Sequence, residues 1–294
     1  MVARAARLGV ELCGILLANP LMPAAGTLSK EVLDPDAKTY GAVLPKTVTP
    51  EPRAGNPPPR IAEAPSGMIN TIGLQNPGIE RFIEDLDAFD VGLPVIVSVA
   101  ADTAEDFALL CRRLSRDNRV TAVELNLSCP NVEHAGATFC AVPGSVSEVV
   151  AACRKALPDK PLLAKLANEN VLHNALASEE AGADALTLIN TIPALSIDAN
   201  ERKVFLRGGL SGPAIKPIAL RAVYDTTRVV RIPVIGCGGI SSGTDVAEFM
   251  LAGATTVQVG AASFVREPRE ILEEFSSYLN EAGLDAHEMT SVLE

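Results

Sequence analysis

Eight short apolar runs, separated by longer stretches of helical spacing, limit what this chain can fold into. They span residues 21–25, 42–45, 94–99, 122–127, 162–166, 185–189, 233–236 and 256–259. Each is nearly continuous in apolar residues, which suits parallel strands buried on both faces. Residues 103–116 carry apolar positions at helical spacing, with Thr103 as N-cap and Glu105 and Asp106 in the first turn. Residues 146–157 and 244–252 read the same way. Ala-Gly-Ala-Asp at 181–184 and Ala-Gly-Ala-Thr at 252–255 each put a glycine stop just ahead of a strand. Eight such units predict an α/β fold, a (β/α)8 TIM barrel; a doubly wound open sheet is the alternative.

A barrel of this kind needs about 250 residues, and the chain has 294, of which 48% are hydrophobic. One barrel domain over residues 1–294 is therefore expected, with no interdomain linker. Residues 8–17 read as a short N-terminal hairpin closing the barrel floor. The Pro-rich segment 51–60 excludes helix and forms a long ordered excursion after strand two.

Formal net charge is −11 and no block of Lys or Arg occurs. This argues against nucleic acid as a partner, since phosphate binding needs clustered positive charge. No apolar stretch approaches the roughly 18 residues of a membrane span. Glu11 interrupts the early apolar run, so a secretory signal is a poor reading and a cytoplasmic protein is expected. The six cysteines include no Cys-x-x-Cys spacing, and His134, His173 and His287 form no ligand set. Neither a disulfide framework nor a metal or iron–sulfur site is expected in this chain.

In such barrels the active site lies at the C-terminal ends of the strands. The residues there are Ala25 and Gly26 after strand one, Lys46 and Thr47 after two, and Ser98 in three. Asn126, Cys129 and Asn131 follow strand four, Lys165 sits in five, and Asn190 and Thr191 follow six. Gly238-Gly239 ends strand seven and Gly260-Ala261 ends strand eight, the usual phosphate site of a barrel; Gly208-Gly209 and Gly212 add to that signal. Lys46 and Lys165 at strand positions serve either to neutralise an anionic cofactor or, for Lys165, to form a Schiff base. The amides Asn70, Asn126, Asn131 and Asn190 both donate and accept, which suits a heterocycle with carbonyl and N–H edges; turn or cap formation is the plainer use of each. Cys129, between two of these amides and followed by Pro130, is a candidate general base as its thiolate, against the commoner fate of an inert buried thiol.

These residues fall in longer motifs: Lys46-Thr-Val-Thr49, Gly55-Asn-Pro-Pro-Pro-Arg60, the stretch 67–78, Asn126-Leu-Ser-Cys-Pro-Asn-Val132, Gly209-Leu-Ser-Gly-Pro-Ala-Ile-Lys-Pro217 and Gly236-Cys-Gly-Gly-Ile240. Through them the chain resembles the class 1B dihydroorotate dehydrogenases, catalytic subunit, from Asn19-Pro20 to about Pro268. The resemblance implies oxidation of (S)-dihydroorotate to orotate in pyrimidine biosynthesis, with FMN accepting the C6 hydride and Cys129 removing the C5 proton. It implies substrate contacts from Lys46, Asn70, Thr71, Ile72, Gly73, Leu74, Asn126, Asn131, Asn190 and Thr191. It implies FMN contacts from Ala25, Gly26, Lys46, Thr47, Ser98, Asn126, Lys165, Ile189, Gly212, Gly238, Gly239, Gly260 and Ala261. It further implies a homodimer joined to a partner subunit that carries FAD and an iron–sulfur cluster and passes electrons to NAD, with the loop after Cys129 as a lid. Three positions depart from the family's pattern: Ala25 stands where Ser is usual, Ser98 where Asn is, and Ala261 where Thr is. Each removes a side-chain hydrogen bond to the flavin or its phosphate, of about 1 kcal/mol.

Other readings stay open on the residues alone. A dihydropyrimidine dehydrogenase-like barrel would use the same amides on uracil or thymine. A dihydrouridine synthase would need a basic tRNA-binding surface. An aldolase would use Lys165 as a Schiff base, and a structural flavin-binding subunit would need no intact site.

Overall fold

The computed structural model describes residues 7–28, 39–128, 139–142 and 144–293. Its strands, in chain order, are β1 (Val10–Leu12), β2 (Ile15–Leu17), β3 (Leu21–Pro23), β4 (Ile61–Ala64), β5 (Gly67–Asn70), β6 (Ile96–Val99) and β7 (Ala122–Asn126). They continue with β8 (Leu162–Leu166), β9 (Ala185–Leu188), β10 (Ile192–Asp198), β11 (Lys203–Ser211), β12 (Val234–Cys237) and β13 (Thr256–Val259). The helices are α1 (Ile79–Glu84), α2 (Ala104–Ser115), α3 (Ser145–Ala156), α4 (Val171–Glu180), α5 (Lys216–Thr226), α6 (Gly243–Leu251) and α7 (Pro268–Ala282).

Seven parallel strands form one curled sheet in the order β3-β13-β12-β9-β8-β7-β6. The remaining apolar run closes it. Gly41 N donates to Leu21 O at 2.7 Å on one side, and Ile96 N donates to Val43 O at 2.9 Å on the other. Residues 42–45 thus take the eighth position, although only Val43 is ladder-paired there, in a parallel bridge to Val95. The expected (β/α)8 barrel is the observed fold.

Helix ends follow the chemistry of their caps. Thr103 Oγ1 accepts from Asp106 N at 3.1 Å and starts α2. Ser242 Oγ does the same for Asp245 N at 3.2 Å and starts α6. Their apolar faces, including Phe107, Leu110, Leu114, Phe249 and Met250, are fully buried against the sheet.

The hairpin β1–β2 turns through Cys13 (φ 51°) and Gly14 (φ 79°), the two positive φ values a tight hairpin turn requires. Cys13 Sγ donates to Asp184 O at 3.3 Å, one residue before β9. The hairpin therefore sits at the N-terminal end of the barrel, as its floor.

One feature was not legible as a run. An antiparallel sheet, β10-β11-β5-β4, stands at the C-terminal side. Exposure alternates along β10 residue by residue, the mark of a strand covered on one face only. The Pro-rich segment 51–60 is irregular, tied by antiparallel pairing of Arg53 with Asn76. Cys111, Cys140, Cys153 and Cys237 are buried and unbridged, and Cys13 is half-buried. Among the described residues no group of His, Cys, Asp and Glu could hold a metal, and no helix is long and apolar enough to cross a membrane.

Candidate active site

Parallel pairing lines up polar side chains inside the barrel. Asn126 of β7 lies opposite Lys165 of β8, and Lys165 opposite Thr187 of β9. The two-residue strand period puts Glu124 on the same face as Asn126. Cys237 of β12 lies opposite Gln258 of β13. All six are buried. Glu124 Oε2 accepts from Thr187 Oγ1 at 2.9 Å and from Gln258 Nε2 at 2.6 Å. Gln258 Oε1 in turn accepts from Lys165 Nζ at 2.7 Å. Burial works against charge on Lys165, but Cys237 and the Glu124 carboxylate outweigh it, so its pKa lies above the ordinary lysine value. Burial pushes the Cys237 thiol up, against the pull of Lys165.

Two cavities open at the C-terminal end and share a wall. The first, of 380 Å³, is lined by Gly26, Lys165, Ile189, Gly212, Gly238, Gly239, Gly260 and Ala261 among others. The second, of 810 Å³, is lined by Thr47, Thr71, Gly73, Leu74, Asn126 and Ser128 among others. Ala25, Lys46, Asn70, Ile72, Asn190 and Thr191 line both.

Glycines shape one end of the first cavity. Gly239 has φ 80°, and a Cβ there would stand 2.7 Å from the backbone N of Lys216, the first residue of α5. A Cβ on Gly212 would stand 2.8 Å from Gly67 Cα. No side chain fits at either place, so bare backbone and a helix N-terminus face the cavity together, an arrangement that receives anions.

In the second cavity, Asn190 Nδ2 donates to Ser128 Oγ at 2.8 Å and to Asn126 Oδ1 at 3.4 Å. Thr191 N donates to Asn190 Oδ1 at 2.8 Å. The end of β7 and the end of β9 are thereby fixed to one another.

A family model described as dihydroorotate dehydrogenase matches residues 7–281. The chain belongs to the dihydroorotate dehydrogenase family. It is accordingly an oxidoreductase. Among similar relatives is the protein from Geotalea uraniireducens named dihydroorotate dehydrogenase B (NAD(+)), catalytic subunit, 46% identical over 97% of this chain and 98% of its own. Proteins of the same name from Pelobacter propionicus (47%, 94% of each chain) and a Geobacillus species (44%, 95% and 93%) are similar as well. The crystal structure of DHODH in complex with ferulenol from Eimeria tenella superposes with a TM-score of 0.81 at 23% identity, over 99% of this chain and 89% of that one. That likeness concerns the fold, and it agrees with the barrel described above.

With a dihydroorotate dehydrogenase in view, the residues expected from sequence separate clearly. Every described one but Ser98 lines a cavity. Ser98 is fully buried, and its hydroxyl meets Thr47 Oγ1 at 3.0 Å. Cys129 and Asn131, with His134, lie outside the described residues. Gly208-Gly209 stand apart from the other glycines, in β11, where a Cβ would run into Asn70 O and Thr191 Oγ1. They serve close packing of the second cavity's wall rather than the glycine cradle of the first. Arg266 is committed to Glu270 and Glu274 and donates to Ser241 O. Sequence reasoning missed Ser128, Glu124, Thr187 and Gln258. The signal was present: a polar residue inside an apolar run needs a partner.

Proposed function

We propose that this dihydroorotate dehydrogenase oxidises (S)-dihydroorotate to orotate in pyrimidine biosynthesis, with FMN in the first cavity and the substrate in the second. The observation that carries this reading is the shared wall of Ala25, Lys46, Asn70, Ile72, Asn190 and Thr191. A wall common to two sites brings two bound rings next to one another.

The residues of the first cavity fit FMN. Backbone at Gly212, Gly238, Gly239, Gly260 and Ala261 receives the phosphate beside the N-terminus of α5. Lys165 presents a buried positive charge to the ring, with Gly26, Lys46 and Ile189 beside it. When bound, FMN supplies a two-electron acceptor for the hydride that leaves C6. Cys129, as thiolate, takes the C5 proton. Lys46 meets the substrate's carboxylate, and Asn70, Asn126, Asn131 and Asn190 hold its amide edges. The segment 71–74 and Thr191 complete the second cavity, and the loop after Cys129 acts as the lid. Thr47, which lines the second cavity, is held by its hydrogen bond to the buried Ser98.

The Schiff-base reading of Lys165 needs a neutral amine. The Gln258 acceptor and nearby Glu124 hold the opposite state, which favours the flavin reading. Net charge −11 and the lack of a basic block disfavour a tRNA substrate.

The chain acts as one barrel domain over residues 1–294. A homodimer, joined in the cytoplasm to a subunit bearing FAD and an iron–sulfur cluster, passes the electrons on to NAD. Apolar side chains left exposed support docking of other subunits: Ile61, Leu195, Ile197 and Val204 on the antiparallel sheet, and Phe264 at the first cavity. Anaerobic titration of the purified protein with dihydroorotate tests the core of this reading. Bleaching of a yellow protein is expected, with reoxidation by NAD only once the partner is added. A colourless protein, or bleaching by dihydrouracil instead, would overturn it.

A further inference from the structure

Glu124 is the least expected group in the barrel. It is fully buried, and two donors hold its Oε2, yet Oε1 has no hydrogen-bond partner and faces Lys165 Nζ at 4.0 Å. A carboxylate in such a place is costly and persists only if its charge is matched. Lys165 is the matching charge, and it is also the cation that lines the first cavity.

The link between them is directional. A glutamine amide has one donating and one accepting end. Glu124 takes the Nε2 end of Gln258, so the Oε1 end is left for an N–H donor, and Lys165 Nζ fills it. Thr187 Oγ1, donating to the same Glu124 oxygen, fixes the carboxylate from β9. The groups facing Lys165 are Glu124 from β7, Thr187 from β9, Cys237 from β12 and Gln258 from β13, with Lys46 lining the same cavity. Of these, Glu124 is the carboxylate.

We propose that Glu124 is a positioning residue, which through Gln258 keeps the Lys165 ammonium charged and held at the wall of the first cavity. Its consequence for a bound flavin rests on the cofactor reading given above; its effect on Lys165 does not. With Glu124 in place, Lys165 keeps one charge across the working pH range and a fixed direction. Without that charge, Cys237 alone is left to offset burial, which favours the neutral amine.

The test is Glu124→Gln, which keeps shape and the Thr187 bond while removing the charge. Carbon-13 NMR of lysine-labelled protein, with the Lys165 signal assigned by its loss in Lys165→Met, follows the titration directly. In the native protein that signal should titrate above the ordinary lysine range, and in Glu124→Gln distinctly lower than in the native protein. Gln258→Met should move it down as well, by less, and serves if Glu124→Gln does not fold. An unshifted Lys165 titration in both folded variants would overturn the proposal. On yellow protein, the flavin midpoint potential of Glu124→Gln should fall relative to native as pH rises through the new Lys165 titration; a constant difference between the two would also overturn it. Protein that holds no flavin but shows the Lys165 shift would sink the cofactor reading and leave Glu124's role intact.

Discussion

Asn190 donates to Ser128 across the mouth of the barrel, at 2.8 Å. The two stand 62 residues apart in sequence, at the ends of β9 and β7, and both line the second cavity. Ser128 immediately precedes Cys129, so this bond fixes the last described residue before the proposed base.

Ser128→Ala should therefore weaken substrate handling while leaving flavin content unchanged. The half-buried Asn190 amide loses its shorter hydrogen bond, a loss of about 1 kcal/mol. That corresponds to roughly a fivefold fall in kcat/KM for dihydroorotate, measurable by steady-state kinetics at matched FMN occupancy.

Cys129→Ala should retain yellow protein and nearly abolish flavin reduction by dihydroorotate under anaerobic stopped flow. In the native protein the reduction rate should rise with pH, since only the thiolate accepts a proton and an ordinary thiol titrates near about 8.5. Normal reduction in the variant would remove Cys129 from the mechanism.

Gly239→Ala should lower FMN affinity by at least about tenfold, equivalent to about 1.4 kcal/mol. The new Cβ would meet Lys216 N at 2.7 Å while φ is held at 80°. Gly92→Ala is the control: its φ is 77°, with nothing within 4 Å of the added atom. It should cost some stability through backbone strain and leave FMN affinity as it was, both read by fluorescence titration and thermal melting.

Acid should destabilise the fold through Asp245. Burial pushes its carboxyl pKa up, but hydrogen bonds from Lys216, Ser241 and Ser242 outweigh burial and hold it below the ordinary 3.8. A group lowered on folding contributes stability that is fully present above its unfolded pKa and is lost as pH falls through the folded one. Melting temperature should thus fall below about pH 4, and Asp245→Asn should show a smaller fall over the same window.

Thr103→Ala should cost about 1 kcal/mol, because Thr103 Oγ1 alone caps Asp106 N at the start of α2. Thermal melting checks this, with activity unaffected, since α2 takes no part in either cavity.

The barrel and most of its rim are legible in the amino-acid order alone. Strands buried on both faces must be apolar at nearly every position, so runs such as Leu162–Leu166 announce themselves. Residues at strand ends in a barrel converge, so Lys46, Asn126, Asn190 and the glycines of strands seven and eight were locatable from order alone, whereas Asn70 sits in the antiparallel sheet. Pairings between distant strands emerge only once the ring has closed. Glu124 and Gln258 are 134 residues apart and Lys165 and Gln258 are 93 apart; their contact depends on barrel closure and register, which no local pattern encodes. The same holds for Gly208-Gly209, whose need for glycine comes from Asn70 and Thr191 pressing against them. Local propensity sets which segments are strands. Closure of the ring sets which side chains share its interior, and there a buried carboxylate found its lysine.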